Sequence, residues 1–182
     1  MKNHNQPKRL SRIVAFESER VRLYLDKVEF PDGRIIENHH LLHFERPAVG
    51  IIVKNESDHI VLVKVCRYTT GETGWEIPAG RIENGEDVVE AARRETREET
   101  GFDTRDHAVV HSYHPMNGIA DAVVHLVLCR SSGRPAAHDE EVDDVRWFSQ
   151  NDIQAMIDRG EIRDGLSLVG LLLCQNRAIT KV

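Results

Sequence analysis

The sequence predicts an α/β fold in which a mixed sheet is covered by helices. Three observations support this prediction: short apolar segments typical of strands fill the first half of the chain, a helical pattern follows, and two more helical patterns close it. The chain has 182 residues, which fits one domain with a small additional segment.

The individual elements follow from turn and cap residues. The predicted strands are, in chain order, 21–30, 35–42, 48–53, 59–66, 109–113, 122–129 and 145–148, with a short extended segment at 75–78. The predicted helices are 86–100, 152–159 and 165–179. Pro31-Asp32-Gly33 is typical of a hairpin turn between the first two strands. The nearly continuous apolar residues of 48–53 and 59–66 indicate that both faces of those strands are covered.

Three other stretches are predicted to be irregular. Residues 1–10 are polar and basic and are expected to be frayed. Residues 68–74 are rich in threonine and glycine, and residues 130–144 form a long polar segment. Both stretches are therefore predicted to be loops.

Charge and composition exclude several classes of function. The net charge is −6 and the pI is about 5.9, which argues against nucleic acid as the main partner. The longest apolar run, Leu166–Cys174, is too short to cross a membrane, and no export signal is visible at the N-terminus. The three cysteines are unclustered, so we predict buried thiols in the cytoplasm: Cys66, Cys129 and Cys174.

The helix predicted at 86–100 carries an unusual concentration of acid. Glu95, Glu98 and Glu99 are spaced i, i+3, i+4 and therefore share one face. They also lie near the C-terminal end, where the helix dipole disfavours carboxylates. Hard divalent cations bound by the carboxylate oxygens would offset this repulsion between like charges and the unfavourable interaction with the helix dipole. The alternative is an ordinary solvated face, since arginines interleave with these glutamates in i,i+4 pairs.

The wider spacing favours the metal interpretation. The stretch GRIENGEDVVEAARRETREETGF, which begins at Gly80, resembles the signature motif of the Nudix family, the Nudix box. The matching positions are Gly80, Glu86, Arg94, Glu95, Glu98, Glu99 and Gly101. A chance match in this chain is on the order of one in a million. Thr96 departs from the pattern, because the family usually has a larger apolar residue there.

This resemblance implies a Nudix-type α/β/α sandwich and a set of site residues. Glu95, Glu98 and Glu99 would bind Mg²⁺, or Mn²⁺ as a substitute, together with the backbone carbonyl of Ala79 or Gly80. Such metals polarise bridging phosphates and lower the pKa of an attacking water. By the same resemblance, Arg94 would orient a glutamate in its ionised form and Glu86 would support the ligands from outside, as outer partners of metal ligands do.

Segments outside the box resemble one branch of the family. Phe44-Glu45-Arg46, Val65-Cys66-Arg67 and the run from Trp75 to Gly80 look like the ADP-ribose pyrophosphatases and their nucleoside diphosphate sugar relatives. The resemblance implies an N-terminal antiparallel β subdomain (1–45) that dimerises, followed by a Nudix domain (46–182), and therefore a homodimer. It also implies that Arg46 and Arg67 contact the ligand, since arginine suits phosphate recognition. Phe44 is a candidate for stacking on the base, although packing is the more common role for such a residue.

The general base in this branch often lies outside the box, in the loop before the last strand. Glu140 is our first candidate and Glu141 the second; a mobile acidic loop is the alternative. Two departures leave the substrate open. Pro115-Met116-Asn117-Gly118 replaces a proline-glycine pair usual in ADP-ribose enzymes, and Asp164-Gly165-Leu166 lacks the lysine that sugar-nucleotide relatives often carry. The histidines, including His39, His40 and His43, are expected to have surface or hydrogen-bonding roles.

The expected activity is magnesium-dependent hydrolysis of a nucleoside diphosphate sugar to a nucleoside monophosphate and a sugar phosphate. ADP-ribose is the first substrate expected, and GDP-mannose or another nucleotide sugar is the alternative. Two rivals are a non-catalytic nucleotide-binding Nudix domain and an isoprenoid diphosphate isomerase. Retention of every box glutamate argues against the first, and the Phe44-to-Gly80 segments argue against the second.

Overall fold

The computed structural model describes residues 6–132 and 142–176. They form two compact units, one made of residues 6–47 and 114–123, the other of 48–113, 124–132 and 142–176. The strands are β1 Lys8–Glu17, β2 Val21–Glu29, β3 Ile35–Phe44, β4 Ala48–Lys54, β5 Ile60–Arg67, β6 Glu72–Glu76, β7 Ala79–Arg81, β8 Asp103–Tyr113, β9 Val124–Ser132 and β10 Asp144–Phe148. The helices are α1 Val88–Thr100, α2 Gln150–Asp158 and α3 Gly165–Gln175.

The first unit contains an antiparallel sheet of order β1-β2-β3. The predicted hairpin between β2 and β3 is confirmed: Gly33 adopts φ +81° and its N–H bonds to the carbonyl of Phe30. The prediction of a frayed segment is wrong for residues 8–10, because β1 begins at Lys8, paired with Glu29. Strand pairing satisfies backbone groups whatever the side chains are, so a polar, basic start does not prevent it.

The second unit is built on a mixed sheet of order β10-β5-β4-β9-β8, with β6 paired to β5 and β7 paired to β4. β4 and β9 are parallel, and the other pairs are antiparallel. β4 and β5 pair with each other only at Lys54 and Ile60. Between their diverging halves runs the segment from β6 to β7, where the Ile51 N–H bonds to the Pro78 carbonyl at 2.8 Å.

The sheet of the second unit is covered on both faces, as the continuous apolar strands predicted. Alternate residues of β4 point to opposite sides: Ile52 joins the cluster under α2 and α3, and Ile51 joins the cluster under α1. β9 divides in the same way, with Leu126 on the first side and Val127 on the second. The α/β/α sandwich is therefore confirmed.

Several element boundaries differ from the prediction. β8 begins at Asp103 instead of 109, because two irregularities in its pairing with β9 break the alternation that marks a strand in sequence. β6 occupies residues predicted as a loop, since it forms only by pairing with β5. α1 begins at Val88, with Asp87 as its N-terminal cap, so Glu86 precedes the helix. Residues 133–141 and 177–179 of the predicted loop and last helix lie outside the described residues.

The cysteine prediction is correct for two residues. Cys129 and Cys174 are buried, whereas Cys66 is exposed. Cys66 and Arg67 are the last two residues of β5, and both are exposed. Across the described ranges, no helix combines the length and apolarity needed to cross a membrane.

Candidate active site

The helix α1 has well-defined ends that set which residues share a face. The Asp87 carboxylate accepts hydrogen bonds from the N–H groups of Val89 and Glu90, and the Glu90 carboxylate accepts one from Asp87 in return. Gly101 ends the helix at φ +71°, in the left-handed conformation that glycine adopts readily. The last two turns of α1 therefore begin near Arg94 and carry the three clustered glutamates.

These glutamates differ in their exposure. The side chain of Glu98 is 45% exposed, that of Glu95 only 13%. Glu99 is partly buried, and one of its oxygens, Oε2, accepts a hydrogen bond from the Ala79 N–H at 3.2 Å. The face of α1 thus presents two inner carboxylates beside the start of β7 and one outer carboxylate nearer solvent.

Gly80 allows this close approach of α1 and β7. A Cβ atom at position 80 would lie 1.9 Å from the carboxyl carbon of Glu95, far inside any tolerated contact. Only glycine leaves room for the Glu95 carboxylate in its observed position. The glycine at the start of the motif therefore has a direct steric reason.

Arg94 connects the acidic groups around it. Its Nε donates to Glu86 Oε1 at 2.9 Å, and its Nη1 contacts Glu95 Oε1 at 2.8 Å and Glu98 Oε2 at 3.0 Å. Its Nη2 reaches the Arg81 carbonyl at 2.9 Å. The hydrogen bond from Arg94 lowers the pKa of Glu86, so that this carboxylate stays ionised. Arg94 thereby fixes the positions of three carboxylates at once.

Burial has the opposite effect on the two inner carboxylates. Desolvation raises the pKa of Glu99 to about 8, against the lowering effect of the Ala79 N–H. Desolvation also raises the pKa of Glu95, although Arg94 opposes it. Two carboxylates that are costly to ionise next to each other would be stabilised by a cation placed between them.

The donor set fits a hard divalent cation. Arg94 contacts one oxygen each of Glu95 and Glu98, and the Ala79 N–H contacts one oxygen of Glu99, which leaves the second oxygen of each carboxylate to bind metal. In residues 6–132 and 142–176, no three acidic, histidine or cysteine groups already converge on one point. The described carboxylates have the chemistry that suits a hard divalent cation.

Arg67 lies in the same unit, at the end of β5. Its guanidinium contacts the buried Glu76 carboxylate through Nε at 3.1 Å and Nη2 at 2.5 Å. The hydrogen bond to Glu76 raises the pKa of Arg67, and Glu99 and Asp164 act in the same direction through their charge. The pair borders a cavity of about 520 Å³. Sequence reasoning missed Glu76 as the partner of Arg67. In the β5–β6 pairing Arg67 lies opposite Glu72 and Glu76 lies opposite Val63, so the side-chain contact runs along the hairpin and not between directly paired residues.

The remaining predicted site residues are placed as follows. Phe44 and Arg46 belong to the first unit, where the Phe44 side chain is partly exposed and its N–H bonds to Asp121 Oδ1 at 3.1 Å. Sequence reasoning gave no indication of Asp121. Glu140 and Glu141 lie outside the described residues, so their predicted role as general base stays a prediction.

Comparison with known proteins identifies the family of this chain. The NUDIX domain family model matches residues 44–166. An ADP-ribose pyrophosphatase of Mycobacterium tuberculosis is 33% identical over 81% of this chain and 72% of its own length. A CMP-5'-(N-acetyl-N-hydroxy-3-aminopropyl)phosphonate hydrolase of Streptomyces rubellomurinus is 28% identical over 87% of this chain and 77% of its own.

A solved structure shows the same fold. The crystal structure of an ADP compounds hydrolase superposes with a TM-score of 0.81, covering 97% of this chain and 96% of that one at 19% identity. The family model spans most of the chain and includes α1 with its clustered glutamates. The chain therefore belongs to the NUDIX domain family and is a Nudix hydrolase.

Proposed function

We propose that this protein hydrolyses the pyrophosphate bond of a nucleoside diphosphate sugar, with ADP-ribose as its first substrate. The products are a nucleoside monophosphate and a sugar phosphate. The observation that carries this proposal is the carboxylate set of α1, in which Glu95 and Glu99 are desolvated against β7 while Arg94 orders their neighbours. The Mycobacterium tuberculosis relative, an ADP-ribose pyrophosphatase, supports the choice of substrate.

Members of this family generally use divalent metal ions, and we propose Mg²⁺ here, with Mn²⁺ as a substitute. Glu95, Glu98, Glu99 and the carbonyl of Ala79 would hold it. When bound, the cation offsets phosphate charge and lowers the pKa of a water molecule. Glu98 is the most exposed of the three glutamates, so its carboxylate is the one that reaches furthest toward an incoming phosphate.

Other residues of the chain bind substrate and move the proton in this proposal. Arg67 donates to phosphate oxygens from a guanidinium that Glu76 holds in place. Arg46 is the second arginine that we assign to substrate binding. Phe44 contacts the nucleoside. Glu140, with Glu141 as the second candidate, accepts the proton of the attacking water as general base.

We also propose that the protein acts as a cytoplasmic homodimer joined through its N-terminal unit. β1 leaves large apolar side chains in solvent, with Ile13 62% and Phe16 56% exposed. Exposed apolar clusters of this kind mark association surfaces in soluble proteins. A second copy of the same unit would cover them.

A second candidate substrate class is a different nucleotide linked to a different group. GDP-mannose is the first alternative. The Streptomyces rubellomurinus relative is named for a CMP-linked phosphonate, which favours testing a cytidine compound as well. All these compounds share the phosphoryl anhydride chemistry for which the carboxylate set is suited.

The test is release of phosphorylated fragments from ADP-ribose, GDP-mannose, UDP-glucose, a CMP-linked compound, diadenosine polyphosphates and nucleoside triphosphates, with Mg²⁺ and with chelator. We expect Mg²⁺-dependent cleavage of ADP-ribose or a nucleotide sugar. Cleavage confined to triphosphates or dinucleoside polyphosphates would keep the hydrolase and overturn the substrate class. Binding without cleavage would make the chain a nucleotide-binding domain.

Matched variants of α1 locate the chemistry. Glu98→Gln and Glu99→Gln should each lower kcat by roughly a thousandfold, because several kcal/mol of metal-dependent stabilisation are lost. Glu90→Gln is the control on the same helix, since glutamine also completes the N-terminal capping arrangement. Wild-type turnover in Glu98→Gln and Glu99→Gln would show that the metal assignment is wrong.

A further inference from the structure

Within the first unit, the segment between β8 and β9 (114–123, the β8–β9 loop) is attached to the end of β3. The Leu42 N–H donates to the Ile119 carbonyl at 2.8 Å, and the Asp121 N–H donates to the Leu42 carbonyl at 3.2 Å. Leu42 and Ala120 form a parallel bridge, and Ala120 is buried. The loop is thus joined to β3 by backbone hydrogen bonds on both sides of one residue pair.

Asp121 extends this attachment to the last two residues of β3. Its Oδ2 lies 2.5 Å from Nδ1 of His43, and its Oδ1 accepts a hydrogen bond from the Phe44 N–H at 3.1 Å. Both oxygens of one carboxylate are therefore used on adjacent residues of the same strand. We call this arrangement of Asp121, His43 and the Phe44 N–H the Asp121 clamp.

A second carboxylate lies next to the clamp. Oε1 of Glu45 lies 3.8 Å from Nε2 of His43, so the imidazole has a carboxylate near each ring nitrogen. Burial alone would raise the pKa of Asp121, but the hydrogen bonds from His43 and the Phe44 N–H lower it below its usual value. Asp121 is accordingly held as the ionised acceptor.

The small contribution that an exposed pair such as His43 and Asp121 makes to the stability of the whole protein argues for a local role. The side chains of His43 and Asp121 are 30% and 41% exposed, and ion pairs with that exposure contribute little to global stability. What the clamp does determine is where the Phe44 backbone lies, and Phe44 leaves 37% of its surface exposed. The same attachment holds the exposed Met116 and Ile119 of the β8–β9 loop beside β3.

We propose that Asp121 is a positioning residue for nucleotide binding: through the clamp it holds Phe44 and the β8–β9 loop in their binding arrangement. This inference rests on the proposed function, in which Phe44 contacts the nucleoside. Without the clamp, ordering this segment would be added to the cost of binding, and that cost appears in affinity. The chemistry on α1 is untouched, so kcat stays at its wild-type value.

The experiment compares Asp121→Ala, Asp121→Asn and Asp103→Ala. Asp103 is the matched control, an exposed aspartate at the start of β8 whose ion pair is with Arg97. Binding of ADP-ribose and GDP-mannose is measured by calorimetry with chelator present, so that the ligands are not hydrolysed during the titration. We expect Asp121→Ala to raise Kd and KM about tenfold, which corresponds to a loss of about 1.4 kcal/mol, with kcat unchanged.

Two further readouts separate positioning from a general structural effect. Asp121→Asn keeps an oxygen for the Phe44 N–H, so its Kd should lie between those of the wild type and Asp121→Ala. Hydrogen exchange at the Phe44 amide should be faster in Asp121→Ala than in Asp103→Ala, while the melting temperatures of the two variants agree. A Kd for Asp121→Ala equal to that of Asp103→Ala, or a fall in kcat with unchanged KM, would overturn the inference.

Failure of the proposed function gives a different pattern. Wild-type protein that binds these nucleotides without cleaving them refutes the hydrolysis but leaves the effect of Asp121→Ala on Kd as the test of the clamp. Wild-type protein that binds neither ADP-ribose nor GDP-mannose overturns the positioning role together with the proposed substrate.

Discussion

β4 and β1 are both strands with several apolar residues, yet their environments are opposite. In β4 every residue after Ala48 is buried, and apolar side chains of this strand belong to both apolar clusters of the second unit. In β1 all ten residues are exposed, including Ile13 and Phe16. Apolar composition alone therefore does not show where a strand contributes stability. The contrast indicates that the second unit carries its own core, while the first unit exposes the apolar side chains of β1.

The largest expected effect is on the free energy of unfolding, when an apolar residue is truncated in β4 or in β1. Ile51→Ala in β4 should lower the free energy of unfolding by about 3 to 4 kcal/mol, because it removes a fully buried side chain and leaves a cavity. Ile13→Ala in β1 should change the free energy of unfolding by less than about 0.5 kcal/mol, because the Ile13 side chain is already exposed to solvent. Denaturant titration followed by circular dichroism measures both. Equal losses would show that the two strands do not differ in this way.

The second test concerns the close approach of α1 and β7 in the second unit. Gly80→Ala should lower kcat/KM by about a hundredfold, because the new methyl group displaces the Glu95 carboxylate and a shift of about 1 Å at a reacting site has an effect of that size. Gly74→Ala is the matched control, since its Cβ would meet only the Glu161 carbonyl at 3.6 Å. Steady-state kinetics decide the matter, and wild-type activity in Gly80→Ala would contradict the steric argument.

A smaller effect concerns Thr96, on the buried side of α1. Thr96 is fully buried, but its hydroxyl finds no hydrogen-bond partner among the described residues. Thr96→Val keeps the shape and removes the unpaired hydroxyl, so it should stabilise the protein by about 1 kcal/mol. Thermal unfolding would show a raised Tm. A lowered Tm would mean that the hydroxyl has a partner in solution.

The smallest effect is a difference in thiol reactivity. Cys66 is exposed, whereas burial raises the pKa of Cys129 to about 12 and also raises that of Cys174. A thiol reagent at neutral pH should label one cysteine per native chain quickly and all three after denaturation. Cys66→Ser should abolish the fast phase. Rapid labelling of more than one thiol would show that a buried face of the second unit opens readily.

Some features of the site could be predicted because they depend on local geometry. Helical periodicity places Glu95, Glu98 and Glu99 on one face whatever surrounds the helix, and Gly101 directly follows the helix that it ends. The start of the helix at Val88, after the Asp87 cap, was not predicted. The Nudix motif is a short-range pattern for the same reason. Its match predicted the family and the α/β/α fold, and both are confirmed.

Other features depend on residues that are distant in sequence. The Asp121 clamp joins residues 77 and 78 positions apart, and the contact between Arg67 and Glu76 needs the β5–β6 pairing that the threonine-rich sequence did not reveal. The exposure of β1 and of Cys66 likewise depends on which segments of the chain pack over them, and the local sequence does not show that.

The sequence by itself determined the fold class, the family and the identity of the acidic face of α1, because periodicity, caps and motif spacing act over a few turns of chain. Only the tertiary structure decided which carboxylates are buried and what holds them. Gly80 lies against Glu95, Ala79 donates to Glu99, and Asp121 closes onto β3. Each of these contacts requires chain segments brought together by packing, and the free energy that brings them together belongs to the whole core and not to any local pattern.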